Sequence, residues 1–140
     1  LYGASPLLDQ SAQSLGLRAV MRFSAQLIAI NHLPAGASVG YGADWRCPRA
    51  MPVGIVNAGY GDGYPRMAPS GTPVIVNGQL SQLVGRVSMD SLAVDLRGID
   101  AQCGDAAELW GQQLSVDEVA SRVGTISYEL LCNAGRGLRE

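Results

Sequence analysis

Four short segments concentrate the side chains of this sequence that could do chemistry. In Ala58-Gly59-Tyr60-Gly61-Asp62-Gly63-Tyr64-Pro65-Arg66, glycine at alternate positions gives a permissive backbone that presents two phenols, a carboxylate and a guanidinium. The same segment would also serve as a well-packed structural turn. Its glycines are spaced by two and no helical pattern follows, so it is not a dinucleotide fingerprint. In Val39-Gly40-Tyr41-Gly42 the flanking glycines leave Tyr41 bare within what reads as a strand, a pattern found at bulges or where a ligand or backbone comes close. A phenol with its ordinary pKa of about 10 is a poor base at neutral pH, so a catalytic Tyr41 needs cations or hydrogen bonds that favour its phenolate. A packed tyrosine needs neither. Gly85-Arg86-Val87-Ser88-Met89-Asp90 reads as a strand end meeting a turn. There Arg86 and Asp90 could pair as surface charges, or turn N–H groups could bind an anion beside the Arg86 charge. Finally, Ile126-Ser127-Tyr128-Glu129 puts a phenol near a short helix start, where Ser127 could cap the helix or a phosphate could bind.

What is missing narrows the chemistry further. All ten basic residues are arginine, and the sequence has no lysine. A mechanism that needs a lysine amine, such as a Schiff base or a P-loop, must take that amine from elsewhere. The single histidine, His32, argues against a self-contained histidine zinc site. Cys47, Cys103 and Cys132 are far apart and lack CxxC spacing, and read as reduced thiols. A net charge of -2 with scattered arginines offers no footprint for nucleic acid. No apolar run is long enough to span a bilayer and the first residues lack a basic signal region, so a soluble cytoplasmic protein is expected.

The elements that must position these segments are mostly strands. With 140 residues and 47% hydrophobic content there is material for one domain with a core. Alternation over Met21 to Leu27 predicts a half-buried strand from Ala19 to Leu33, and Pro34-Ala35-Gly36 turns the chain. Further β runs follow at Ser38 to Trp45, Val53 to Ala58, Pro73 to Val76, Leu80 to Val87, Leu92 to Leu96 and Ala107 to Trp110. Asn77-Gly78 suits a two-residue type I′ hairpin. Such spacing implies an antiparallel barrel or sandwich. Ser115-Val116-Asp117-Glu118 reads as a capping box opening a short helix to about Val123, and a second short turn runs through Tyr128 to Cys132. The fold expected from these runs is mainly β, barrel or sandwich, with one or two short helices near the C-terminus. Leu1-Tyr2-Gly3 reads like the tail of a buried strand, and any second domain is expected upstream of it.

In this order the segments resemble the C-terminal domain of alanine racemases, which use pyridoxal phosphate. The resemblance runs from Leu1-Tyr2-Gly3 through the tyrosine and arginine segments, with Ser70-Gly71-Thr72-Pro73-Val74 and Leu109-Trp110-Gly111 between them, to Ser127-Tyr128-Glu129-Leu130. It implies that residues 1–18 are the exit of a preceding (β/α)8 barrel plus a connector, and that 19–140 form the C-terminal β-barrel domain, a Greek-key-like antiparallel barrel rather than a sandwich. It further implies that pyridoxal 5'-phosphate is held covalently by a lysine of the other domain. Tyr41 matches the catalytic tyrosine that removes the α-proton of L-alanine, reaching into the partner subunit's site of a homodimer. Met89 matches the residue whose backbone N–H approaches the substrate carboxylate. Tyr128 matches the phenol that hydrogen-bonds the cofactor phosphate. Tyr60, Arg66, Arg86, Asp90 and Ile126 match substrate-corridor positions. The tail Asn133 to Glu140 departs from the family's usual arginine, valine and final apolar strand. Two other activities suit the same residues: racemisation of serine or a broader set of amino acids, and a non-catalytic barrel module whose tyrosines anchor an interface.

Overall fold

A computed structural model describes residues 21–134 of the chain. The expected strand tail at Leu1, the connector, the 1–18 boundary and all but the first two residues of the atypical tail lie outside these residues.

Alternating burial makes β1 (Phe23–Leu33) a strand with one wet face. Its first half pairs with β8 (Ala106–Trp110) and its second half with β4 (Met51–Val56), both antiparallel. The register shifts between Leu27 and Ala29, and the extra residue, Ile28, is turned out to solvent. A bulge of this kind bends a strand, so β1 can belong to both halves of the sheet. β6 (Gln79–Val84) is shared in the same way: its first residues pair with β5 (Pro73–Val76) and its last with β7 (Leu92–Asp95). The strands close as β1-β4-β7-β6-β5-β8. Three consecutive strands, β5 to β7, are flanked by β4 and β8, which gives two overlapping Greek keys and leaves no open edge in the barrel. The expected barrel class is therefore the one observed.

Local chemistry fixes the turns and helices. Asn77 and Gly78, with φ of 49° and 75°, form the two-residue link between β5 and β6 as anticipated. Ser115 Oγ accepts a hydrogen bond from the Asp117 N–H (3.1 Å) and starts α1 (Val116–Val123), and Gly124 ends it in a left-handed conformation. Ser127, expected as a cap, is instead the first residue of α2 (Ser127–Asn133), with Ile126 at the cap position. Its hydroxyl donates to Asp117, because α1 packs close enough to offer a carboxylate.

The expected continuous strand from Ser38 to Trp45 is also corrected. It divides into β2 (Ser38–Val39), a 3-10 turn over Tyr41–Ala43, and β3 (Trp45–Arg46). Positive φ at Gly40, Gly42 and Ala43 takes the backbone out of any ladder.

The main core fills the barrel with Leu27, Val56, Val74, Val76, Leu83, Val94, Leu109 and Trp110, and Val119, Ala120 and Leu130 of the helices close over it. A smaller cluster of Val39, Cys47, Met51, Val53, Val84 and Ala93 fastens the β2–β3 ribbon to the barrel wall. Asp95 is buried beside Arg97. Burial pushes its carboxyl up, but hydrogen bonds from the Arg97 side chain and backbone N–H outweigh this and hold it below the usual carboxylate range. The register of β6 predicts a sharp contrast between two leucines. Leu83→Ala, at a fully buried position, should lower stability by about 2–5 kcal/mol, while Leu80→Ala, 70% exposed, should stay within about 0.5 kcal/mol in urea unfolding. Equal costs would mean the register is wrong.

Candidate functional site

The loop after β4 reaches the barrel rim and passes so near the turn after β6 that a side chain between them has no room. A Cβ at Gly59 would overlap the carbonyl oxygens of Ser88 and Met89. The backbones are joined there by hydrogen bonds from the Tyr60 N–H to Ser88 O (3.1 Å) and from the Gly61 N–H to Met89 O (2.9 Å). Asp62 closes the loop on itself by accepting from the Gly59 N–H at 3.0 Å. Farther along, Gly63 presses against the carbonyl of Asn133 at the end of α2. On the other side of the Met89 turn, a Cβ at Gly40 would sit 2.7 Å from the Arg86 backbone nitrogen. The Tyr41 turn, the Arg86–Asp90 turn, the Tyr60–Arg66 loop and α2 thus form one continuous rim.

Within the rim the two phenols of the glycine-rich loop have different fates. Tyr64 is buried and stacks on Trp110, with centroids 6.1 Å apart, while Phe23 contacts the same indole at 4.8 Å. It plugs the end of the barrel and anchors the loop. Tyr60 stays partly exposed, and the Arg66 guanidinium lies 5.8 Å from its ring centroid, within cation–π range. These residues and Glu129, Leu130 and Asn133 of α2 line an open cleft of about 550 Å3. Met89 and Ile126 are each 55% exposed, large apolar side chains facing outward. Asp90 is exposed as well, and Tyr128 is half-buried on the first turn of α2.

The sequence-based pairing of Arg86 with Asp90 is not what forms. Arg86 Nε donates instead to the Asp44 carboxylate. Asp44 ends the 3-10 turn whose Gly40 backbone lies against that of Arg86, which brings the carboxylate within reach. Met89, Tyr60, Arg66 and Arg86 are gathered on the rim. Tyr41 joins it through its backbone turn, and Ile126 and Tyr128 stand on the helix junction that borders it. Sequence reasoning missed Asp44 and the anchoring role of Tyr64. Asp44 was visible as a carboxylate three residues after Tyr41, but its partner is 42 positions away.

The alanine racemase C-terminal domain family profile matches residues 20–140. The chain belongs to this family. Over 133 residues it is 59% identical to an alanine racemase of Halorhodospira halophila, covering 94% of this chain and 36% of that protein. The crystal structure of the biosynthetic alanine racemase from Pseudomonas aeruginosa superposes with a TM-score of 0.94 at 54% identity, over 96% of this chain and 38% of that one. The alanine racemase from Bartonella henselae, solved with covalently bound pyridoxal phosphate, matches at a TM-score of 0.82 and 33% identity, over 88% of this chain and 35% of that one. The chain therefore spans little more than a third of the length of these relatives.

Burial pushes the Tyr64 phenol well above its ordinary value, and its hydroxyl, like the Trp110 indole N–H, has no hydrogen-bond partner among the described residues. A phenol whose folded pKa is raised favours folding fully below its unfolded value and loses that contribution at higher pH. Stability should therefore fall as pH climbs past about 10, and Tyr64→Phe should flatten that fall. The same substitution removes an unpartnered buried hydroxyl, so stability near neutrality should hold or rise by about 1 kcal/mol. Urea unfolding of both proteins at about pH 8 and about pH 11 checks this, and an equally steep alkaline loss in the variant would count against it.

Proposed function

We propose that this chain is the β-barrel part of a pyridoxal-phosphate-dependent alanine racemase, a soluble cytoplasmic homodimer, with residues 1–18 leading in from a (β/α)8 barrel. The observation that carries the proposal is the contiguous rim of Tyr41, Met89, Tyr60 and Arg66 turns in a chain that contains no lysine. Family membership and the covalently bound cofactor of the Bartonella henselae relative support it.

The donor set suits the cofactor's phosphate end. Ser127 is engaged with Asp117, and Glu129 accepts from Thr125. The half-buried Tyr128 lies between them in sequence on the first turn of α2, and its phenol would donate to a phosphate oxygen. With no lysine here, the covalent attachment falls to the other domain. When bound, pyridoxal phosphate supplies the electron sink that makes an α-proton removable. Tyr41 serves one face of the α-carbon: its phenolate oxygen takes the proton of L-alanine, and in the reverse direction its hydroxyl returns one. Inversion needs a second acid/base on the opposite face, since a single one would return the proton where it came from. The Met89 backbone N–H holds the substrate carboxylate. Tyr60, Arg66, Arg86, Asp90 and Ile126 line the approach; Tyr41 and Met89 act across the interface in the partner subunit's site, whereas Tyr128 holds the phosphate in its own subunit.

In the complete protein, Tyr41→Phe should lower kcat by about 10²–10⁴-fold while the KM for alanine changes far less, measured by optical rotation with L-serine as a comparison substrate. An unchanged rate would make Tyr41 a packing residue. The isolated 140 residues mixed with pyridoxal phosphate should give no Schiff-base absorbance, because they hold no lysine. The exposed Tyr60, Met67 and Met89 would equally suit anchors of a non-catalytic association module. Activity recovered by mixing this domain with a separately produced barrel domain would decide for the enzyme.

A further inference from the structure

The turn that carries Tyr41 has little of its own to hold it. The β2–β3 ribbon contributes two residue pairs, Ser38 with Arg46 and Val39 with Trp45, and between them three successive departures to positive φ must be kept in place. The smaller core cluster fastens the base of the ribbon, and at the turn itself the outside contact is Arg86. Its backbone lies against Gly40, and its guanidinium lies over Gly42, where a Cβ would meet Cζ at 3.3 Å and Nη1 at 3.4 Å. The guanidinium is held over the turn by the bond from Nε to the Asp44 carboxylate. Asp44 itself closes the 3-10 turn that starts at Tyr41. The turn and the strand end are thus locked to each other by a charge pair that grips across Gly42.

We infer that Asp44 is a positioning residue for Tyr41, acting through Arg86. The inference rests on the function proposed above. Three features favour positioning over stability. Both side chains are more than half exposed, at 60% for Arg86 and 52% for Asp44, and an ion pair in that setting contributes little to folding. The other two ion pairs among the described residues do different work: Arg97 pairs with its near neighbour Asp95, and Arg22 meets the buried Glu108, which also accepts from the N–H groups of Gln113 and Leu114. The Asp44 pair alone among these joins the Tyr41 turn to the turn of Met89, whose carbonyl is in turn held by the Gly61 N–H. One charge pair therefore sets the spacing between the group proposed to move the α-proton and the N–H proposed to hold the carboxylate. An error of about 1 Å in such a spacing costs on the order of a hundredfold in rate.

The test uses the complete protein with Asp44→Asn and Asp44→Glu. Asp44→Asn should lower kcat by roughly ten- to a hundredfold with KM and thermal midpoint close to wild type, and Asp44→Glu should recover most of the rate. The deciding readout is the deuterium isotope effect measured in both directions. If Asp44→Asn slows the Tyr41 proton transfer alone, the effect grows with α-deuterated L-alanine and shrinks with α-deuterated D-alanine. A general loosening of the domain would move both in the same sense and lower the thermal midpoint, and that result overturns the inference. So does a wild-type rate in Asp44→Asn while Tyr41→Phe is inactive. If Tyr41→Phe is itself active, it is the functional reading that fails.

Discussion

The close approach of backbone to backbone at one end of the barrel is the constraint on which the rest of the structure depends. At Gly59 the chain crosses the Ser88 and Met89 carbonyls with no space for a Cβ, and it does the same at Gly63 against Asn133 and at Gly40 against Arg86. Each contact joins segments that are distant in sequence. Side chains of ordinary size would hold these segments apart and scatter the groups they carry. Direct N–H to carbonyl bonds then fix the spacing with little freedom left over, at Tyr60 to Ser88 and Gly61 to Met89. Tyr64 makes the arrangement permanent by inserting into the core against Trp110, so that the loop bearing Tyr60 and Arg66 is anchored by apolar burial as well as by hydrogen bonds.

Arginine-only chemistry fits this scaffold. Arg97 grips Asp95 through Nε and a terminal nitrogen at once, Arg122 reaches the Gly71 carbonyl, and Arg46 reaches that of Gly36. A planar, always charged fork suits such sites, where a lysine would offer a single mobile point charge. On the rim the same property lets Arg86 lie over a glycine backbone while its Nε is bound to Asp44. The rim thus receives positive charge in fixed places and contains no amine.

The sequence made local features legible and long-range ones obscure. The Asn77-Gly78 hairpin and the Ser115 cap are decided within a few residues and appear where the pattern puts them, and β1 ends at Leu33 as expected but starts at Phe23, with Met21 and Arg22 outside the strand. The Ser38–Trp45 run failed because alternation of apolar and polar residues does not reveal that Gly40 and Gly42 are used at positive φ. The glycines announce a permissive backbone, and at Gly40 the Arg86 backbone exploits it. Arg86 was matched with the nearest carboxylate in sequence, Asp90, whereas the fold offers Asp44. Ser127 looked like a cap because serine before a helix usually is one, and only the packing of α1 on α2 shows that Asp117 claims its hydroxyl. Of the two phenols in the glycine-rich loop, spacing alone could not say that Tyr64 turns into the core and Tyr60 out.

The distribution of exposed apolar groups bears on how such a domain is used. A closed barrel has no free strand edge, so association through strand pairing is not open to it. Large exposed hydrophobic side chains nevertheless gather on and beside the rim: Met67 at 79%, Met89 and Ile126 at 55%, and Tyr60. Scattered exposed apolar residues need no explanation, but a group that borders fixed charges and a cleft resembles the surroundings of a binding surface. The main core, built from the barrel, Tyr64 and the helices, includes none of them. What they add is an apolar border to the cleft and to the turn of Met89. Separating a rigid barrel from its rim lets the fold bear the strain of the one non-glycine residue of the Tyr41 turn at positive φ, Ala43, while Gly40 and Gly42 take the same region at no steric cost.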